Sequence, residues 1–337
     1  MESIDVFCHF LPRKYIAAVQ EASDKPLKMF ERAQQIRAIV DLKARLEILE
    51  EFPGYSQIIS LSSPPIEVLA PHKSVELSRL ANDELAGAVD AGGKWIRGFA
   101  ASLPLNDVSA CIHEAQRAID EYGAVGVQVF TSVLGQPLDL PQFQPLFEFM
   151  AARDLPILLH PTRSMSVSDY PGEKFSKFDL WWAIGWPYET TLALTRLALS
   201  GIFDRLPDLK IIAHHVGGYL PMLAGRLGPG MELLGTRNPP GTEEYVKTTL
   251  QEPVLNACAR FYADTASFGS MAALECGKAF FGAERLLFAS DMPFDPGGGP
   301  DYIRSTLAAI DAMPLTAAER RSILVENAQR LFQLNDN

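Results

Sequence analysis

The sequence predicts an α/β fold, the (β/α)8 or TIM barrel, from three observations. Short and nearly continuous apolar segments occur eight times along the 337 residues. Amphipathic segments with helix start and stop signals separate them. Polar residues that can bind a metal or carry a proton stand at the ends of several apolar segments. Apolar strands joined by helices belong to a parallel sheet that is covered on both faces, and closing eight such strands gives the barrel.

The apolar segments are the predicted strands. They cover residues 3–9, 56–62, 94–102, 124–130, 155–160, 209–215, 259–265 and 285–291. Helix signals are clear in the segment that begins at Asn106, the predicted N-cap, and ends at Gly123. An open, doubly wound sheet is the structural alternative. Because no Gly-rich phosphate loop follows any strand, a dinucleotide-binding domain is not indicated.

Composition limits the partners and the compartment. The length and the lack of repeats or linkers predict a single domain over residues 1–337. The 30 basic and 41 acidic residues give a net charge of -11, which argues against nucleic acid and anionic membranes as bulk partners. The four cysteines are widely spaced, so neither a disulfide framework nor a zinc ribbon is indicated. With no signal-peptide pattern and no apolar run near the ~20 residues of a membrane span, a cytoplasmic protein is expected.

Candidate site residues stand at the strand ends. His9 ends the first predicted strand, His160 the fifth, His214 and His215 the sixth, and Asp291 the eighth. A single histidine there usually makes a structural hydrogen bond, and Asp291 alone could cap a turn. Four of the six histidines at strand ends favour a function instead. Since the carboxyl ends of barrel strands meet at one mouth, these residues are expected to share a site that suits zinc or a similar divalent ion.

The motifs around these residues resemble the amidohydrolase superfamily, specifically the branch related to aminocarboxymuconate semialdehyde decarboxylase. The resemblance extends over essentially the whole chain. It is carried by IDVFCHFLP at 4–12, LPILLHP at 155–161, LPDLKIIAHHVGGYLP at 206–221 and LLFASDMPF at 286–294. It implies a barrel of the metal-dependent hydrolase type with His9, His160 and Asp291 as metal ligands. It also implies His215 and Asp291 as the catalytic residues that transfer a proton.

The first strand departs from this pattern at Phe7. Members of the branch usually carry a histidine or glutamate ligand there. Two histidines and a carboxylate still form a recognised catalytic metal arrangement, so zinc, or else manganese, remains the expected cofactor. The ring of Phe7 is expected to form an apolar wall beside the ion and the substrate. The alternative is a metal-free enzyme similar to the metal-independent lactonases of the superfamily.

The resemblance implies a carboxy-lyase, a decarboxylase of a small aromatic or conjugated carboxylic acid. A hydrolase or hydratase of a small carbonyl compound, using the same residues, is the alternative. Arg226 matches an arginine with which relatives bind a substrate carboxylate in the neighbouring subunit's site. This match implies a homodimer or a higher homo-oligomer. Read without the resemblance, Arg226 is an ordinary surface arginine.

Further substrate contacts are expected in the segment 161–187, which follows His160. It contains Arg163 and the clustered aromatic residues Trp181 and Trp186. A long segment of this kind is typical of a lid or a dimer contact, and a planar substrate would stack on its aromatic rings. His214, beside the predicted catalytic histidine, is also expected to contact the substrate.

Overall fold

The computed structural model describes residues 2–24, 26–234 and 236–334. Ten strands are found in these ranges: β1 Ser3–His9, β2 Tyr55–Ser60, β3 Ile96–Ser102, β4 Gly126–Phe130, β5 Ser132–Val133, β6 Gln136–Pro137, β7 Ile157–His160, β8 Ile211–Ala213, β9 Tyr262–Asp264 and β10 Leu286–Leu287. Eight of them form one sheet in the order β1-β2-β3-β4-β7-β8-β9-β10. All neighbouring pairs are parallel. The short strands β5 and β6 form a separate antiparallel pair.

Strand β1 closes the barrel against the segment that follows β10. The backbone N–H of Val6 donates to the carbonyl of Phe288 at 3.0 Å, and that of Asp291 donates to the carbonyl of Phe7 at 3.2 Å. These bonds continue the sheet across the seam, although the segment after Leu287 is too irregular to count as strand. The predicted (β/α)8 barrel is confirmed.

Helices surround the sheet in the pattern that a parallel barrel requires. In the described ranges they are α1 Arg13–Ala22, α2 Lys28–Ala33, α3 Arg37–Val40, α4 Leu42–Leu49, α5 Pro71–Gly92, α6 Val108–Tyr122, α7 Gln144–Arg153, α8 Leu180–Ala183, α9 Gly185–Leu199, α10 Ile202–Arg205, α11 Ala224–Leu227, α12 Val254–Cys258, α13 Met271–Phe281, α14 Pro300–Ala312, α15 Ala317–Arg321 and α16 Asn327–Leu331. None of these helices has the length and apolar character needed to cross a membrane.

The cap of α6 corrects a prediction from the sequence. The helix begins one residue later than expected, so its N-cap is Asp107 rather than Asn106, and the Asp107 side chain accepts a hydrogen bond from the N–H of Ala110. Asn106 instead donates to the carbonyl of Leu69 at 3.1 Å. Gly123 ends the helix as predicted, with the left-handed φ of 68° that glycine adopts without strain.

Other bounds also differ from the sequence prediction. The segment 161–187 is irregular over residues 161–179, but α8 lies within it and α9 begins at Gly185. The sixth and eighth barrel strands are also shorter than predicted, ending at Ala213 and Leu287. His215 and Asp291 lie beyond these ends with left-handed φ values of 55° and 65°, so the chain has left the extended conformation at both residues.

A buried polar network lies inside the barrel below its mouth; we call Asp5, Arg45, Tyr55, Gln57 and Ser290 the lower network. The Tyr55 hydroxyl donates to Asp5 at 2.6 Å, and the backbone N–H of Ser290 donates to the same carboxyl at 3.2 Å. Arg45, fully buried, donates to the Gln57 side chain at 2.7 Å. Burial raises the pKa of Asp5, and hydrogen bonds from Ser290 and Tyr55 oppose the rise. The network ties β1, β2 and the segment after β10 together beneath the candidate site.

Candidate active site

Three imidazoles and one carboxylate converge at the carboxyl ends of the strands; we call His9, His160, His214 and Asp291 the histidine cluster. The ligand atoms of the three histidines lie within 4.8 Å of one another. Nε2 of His9 lies 3.3 Å from Oδ1 of Asp291, and Nε2 of His214 lies 3.5 Å from the same oxygen. The structure therefore brings the three predicted ligands together and places His214 among them.

Each imidazole of the cluster is held through Nδ1. His9 and His160 bond to backbone carbonyls at 3.0 and 2.7 Å, and His214 bonds to the carboxylate of Asp264. Because these oxygens can only accept, Nδ1 carries the hydrogen and Nε2 is left to face the cluster. In the described part of the chain, Nε2 of His9 and of His214 makes no hydrogen bond. Histidines that bind metals are usually oriented by a second hydrogen bond of this kind.

The charges of the cluster fit a divalent cation. Burial, and then the neighbouring imidazoles, hold the pKa of His160 well below its usual range, so this ring is neutral. Burial alone would raise the pKa of Asp291, but the histidines that face it outweigh burial and hold the pKa well below its ordinary value. For His214, burial is outweighed by Asp264 and Asp291, which raise its pKa to about 9. An ion at this point would replace the proton of His214 and pair with the Asp291 carboxylate.

His215 turns toward Asp291 from the backbone position next to His214. Consecutive residues of a strand point to opposite faces, yet the two imidazole centroids are only 3.7 Å apart. The left-handed φ of 55° at His215 causes this reversal. Nε2 of His215 lies 3.5 Å from Oδ2 of Asp291, and its side chain keeps 12% exposure. Burial, followed by the charge of His214, lowers the pKa of His215.

Phe7 forms an apolar wall of the cluster. Its ring is fully buried and stacks on His214, with the centroids 3.9 Å apart and the planes 16° from parallel. The centroids of His9 and His160 lie 5.8 and 5.9 Å from it. The phenyl ring therefore occupies the place from which a ligand at position 7 would reach the cluster.

A cavity of about 700 Å³ lies beside His215. Its walls include the aromatic side chains of Trp182, Trp186, Tyr219 and Phe268. The Trp186 ring has its centroid 5.3 Å from that of His160 and 6.5 Å from that of His215. A flat, mostly apolar molecule would fit between these rings with one end at His215.

Comparison with known proteins identifies the family. The model of the Amidohydrolase family matches residues 59–334. The chain belongs to this amidohydrolase family. A gamma-resorcylate decarboxylase from Polaromonas sp. is 32% identical over 307 residues, which are 86% of this chain and 87% of that protein. A 2-amino-3-carboxymuconate-6-semialdehyde decarboxylase from Dictyostelium discoideum is 32% identical over 52% of this chain and 48% of its own length.

A solved structure resembles this amidohydrolase over its whole length. It is a dihydroxybenzoic acid decarboxylase from Polaromonas sp. JS666 with bound manganese and the inhibitor 2-nitroresorcinol. The TM-score is 0.78 at 25% identity, and the match covers 100% of this chain and 98% of the other.

The two predicted substrate arginines of this amidohydrolase lie in different surroundings. Arg163 lines a second cavity of about 390 Å³, together with Trp181 and Trp186. Its guanidinium is paired with Glu189 at 2.7 Å, so its charge is already compensated. Arg226 is exposed on α11 and is not among the residues that line the cavity beside His215.

Sequence reasoning missed Asp264 and Phe268 in this amidohydrolase. Asp264 ends the seventh barrel strand, so the rule that selected Asp291 could have found it. Phe268 lies in the loop after that strand, has a left-handed φ of 55° and packs against Tyr302 with the centroids 4.4 Å apart and the planes tilted by 31°. No periodicity marks an isolated loop aromatic as part of a site.

Proposed function

We propose that this amidohydrolase is a metal-dependent carboxy-lyase that decarboxylates a small aromatic or conjugated carboxylic acid. The observation that carries the proposal is the buried set of unpartnered ligand nitrogens, which His215 connects to a cavity with aromatic walls. The relatives reported above are decarboxylases, and their names favour decarboxylation over hydrolysis or hydration. Phe7 does not argue for a metal-free enzyme, because the buried nitrogens around it are arranged for an ion.

We assign His9, His160 and Asp291 as ligands of the divalent ion. When bound, the ion supplies the positive charge that holds and polarises the substrate carboxylate or a neighbouring oxygen. Imidazole ligands suit zinc, which we propose as the native ion. Manganese, which is bound in the Polaromonas structure, is the competing choice.

His215 and Asp291 are the proposed proton-transfer pair. Nε2 of His215 and Oδ2 of Asp291 are 3.5 Å apart, and His215 lines the cavity. The pair would deliver a proton to the carbon that bears the carboxylate. The bond from this carbon to the carboxylate then breaks, its electron pair returns to the conjugated system, and carbon dioxide leaves. The rings of Trp186 and Phe268 would orient the planar substrate and exclude water.

We also propose a homodimer in which the segment 161–187 takes part. It exposes the apolar side chains of Tyr170, Phe175, Phe178 and Ile184. In such a dimer, Arg226 would bind a carboxylate in the neighbouring subunit's site. Light scattering coupled to size exclusion would measure the assembly. A single domain and a cytoplasmic location are proposed as well, the latter supported by four free cysteines.

Carbon dioxide release from a panel of hydroxybenzoates and muconate-type acids tests the activity. We expect release from at least one acid by the zinc-loaded or manganese-loaded protein, and its loss in His215→Asn. The matched control is His113→Asn, because His113 is exposed on α6 and does not belong to the candidate site. Turnover of lactones or amides without any carbon dioxide release would instead favour the hydrolase.

A further inference from the structure

We propose that His214 is a fourth protein ligand of the divalent ion, fixed in position by Asp264 and Phe7. This inference rests on the proposed metal site and enlarges its ligand set beyond His9, His160 and Asp291. It also moves His214 from the predicted substrate contacts to the ion.

The position of His214 suits a ligand better than a substrate contact. Its side chain is fully buried, and it is not among the residues that line the cavity beside His215. Within the described ranges its Nε2 has no hydrogen-bond partner. That nitrogen lies 3.5 Å from Oδ1 of Asp291 and shares a common centre with the ligand nitrogens of His9 and His160. A buried imidazole nitrogen without a partner is costly unless an ion or a proton donor satisfies it.

Asp264 holds the ring of His214 in the orientation that a ligand needs. Its Oδ2 accepts from Nδ1 of His214, while its Oδ1 accepts from the backbone N–H of Ala266 at 3.0 Å and that of Val216 at 3.4 Å. The carboxylate is therefore fixed by the backbone and in turn fixes the imidazole. A carboxylate, a histidine and a metal in series form a recurrent arrangement at zinc sites.

Phe7 and His214 occupy equivalent positions relative to the other two imidazoles. The Phe7 centroid lies 5.8 Å from that of His9 and 5.9 Å from that of His160. The corresponding distances for His214 are 6.0 and 5.3 Å. A ring at either position faces the cluster, but only the ring of His214 carries a nitrogen. The phenyl ring packs flat against His214 and leaves it little freedom to rotate.

Zinc binding to metal-stripped protein tests the inference independently of catalysis. Competition with a chromophoric chelator gives the affinity, and X-ray absorption of the zinc-loaded protein counts the imidazole ligands. The variants are His214→Phe, Asp264→Asn and the exchange Phe7→His/His214→Phe. His113→Asn is the matched control, because His113 is exposed on α6 and lies outside the histidine cluster. Circular dichroism of each metal-free variant confirms the fold.

We expect three imidazoles on zinc in the wild type and two in His214→Phe. The affinity of His214→Phe should fall by about 100-fold or more, and that of Asp264→Asn by about 10-fold, within the range known for outer partners of zinc ligands. The exchange variant should recover much of the lost affinity, and the control should bind zinc as the wild type does.

Two imidazoles in the wild type, or undiminished zinc affinity in a folded His214→Phe, would overturn the inference. The wild-type spectrum decides even if His214→Phe fails to fold. A protein that holds zinc with three imidazoles but releases no carbon dioxide would keep this inference and refute the proposed function. A protein that holds zinc with two imidazoles and releases carbon dioxide would refute this inference and keep the proposed function.

Discussion

The lower network and the histidine cluster are two buried polar groups inside one barrel, and their hydrogen bonding differs. In the lower network, the Asp5 carboxyl accepts from Tyr55 and Ser290, and the side chain of Gln57 bonds to both Tyr55 and Arg45. Nη2 of Arg45 is the exception, since it has no partner among the described residues. In the histidine cluster, the Nδ1 atoms are bonded while the inward-facing Nε2 atoms of His9 and His214 are not.

This difference separates a structural group from a functional one. A buried polar group that is hydrogen-bonded within the protein contributes to stability, whereas a buried unpartnered group costs about 1–3 kcal/mol. The unpartnered Nε2 atoms of His9 and His214 face the same point, which is explained by a ligand that both nitrogens bind. Changes in the histidine cluster should therefore affect metal binding and turnover, while changes in the lower network should affect the free energy of unfolding.

The largest effect is expected for His160→Ala. Removing this proposed ligand should lower decarboxylation by about 1000-fold or more, equivalent to about 4 kcal/mol of transition-state stabilisation. Zinc should also cease to raise the melting temperature, because this rise requires binding to the folded state. Activity assays and thermal melts with and without zinc measure both effects. A variant that still gains the full zinc-dependent rise would show that His160 is outside the metal site.

Glu67→Gln tests a buried polar atom that belongs to neither group. Burial raises the pKa of Glu67 from 4.5 to about 7, and its Oε2 has no partner among the described residues. The folded protein therefore binds a proton between pH 4.5 and 7 that the unfolded chain has released, so stability falls as the pH rises through this window. Above pH 7 the buried, ionised Glu67 carboxylate lowers the free energy of unfolding by about 3 kcal/mol.

The glutamine variant lacks this cost. We expect its free energy of unfolding to equal that of the wild type near pH 4.5 and to exceed that of the wild type above pH 7. Urea unfolding across the pH series measures the difference. Parallel pH profiles for the two proteins would show that Glu67 is ionised in the folded state at little cost. Metal binding at a fixed pH should not change.

Tyr55→Phe is expected to have the smallest effect. The hydroxyl donates to Asp5 and accepts from Gln57, so its removal leaves two buried groups short of a hydrogen bond. The free energy of unfolding should fall by about 2 kcal/mol. Zinc affinity should stay at the wild-type value, which distinguishes the lower network from the histidine cluster. Urea unfolding and zinc titration on one preparation test both statements, and a loss of zinc affinity in the folded variant would break the distinction.

The sequence by itself determined the eight barrel strands, the α/β class, the strand-end positions of His9 and His160, and the place of Asp291 after the last strand. These features follow from local patterns: burial on both faces makes a strand continuously apolar, and barrel closure brings the carboxyl ends together. The motifs around the same residues also predicted the family. Even the error at Asn106 was small, because two adjacent residues could both serve as the N-cap and only the course of the chain selects Asp107.

The tertiary structure decided which partner each polar side chain has. Strand alternation predicts that His214 and His215 point to opposite faces, and only the left-handed backbone at His215 brings both toward Asp291. The pairing of His214 with Asp264 and of Arg163 with Glu189 joins residues 50 and 26 positions apart. Sequence periodicity predicts which face of a single helix or strand is buried in the core. The partner of a buried charge is set by packing between segments, and this packing exists only in the folded chain.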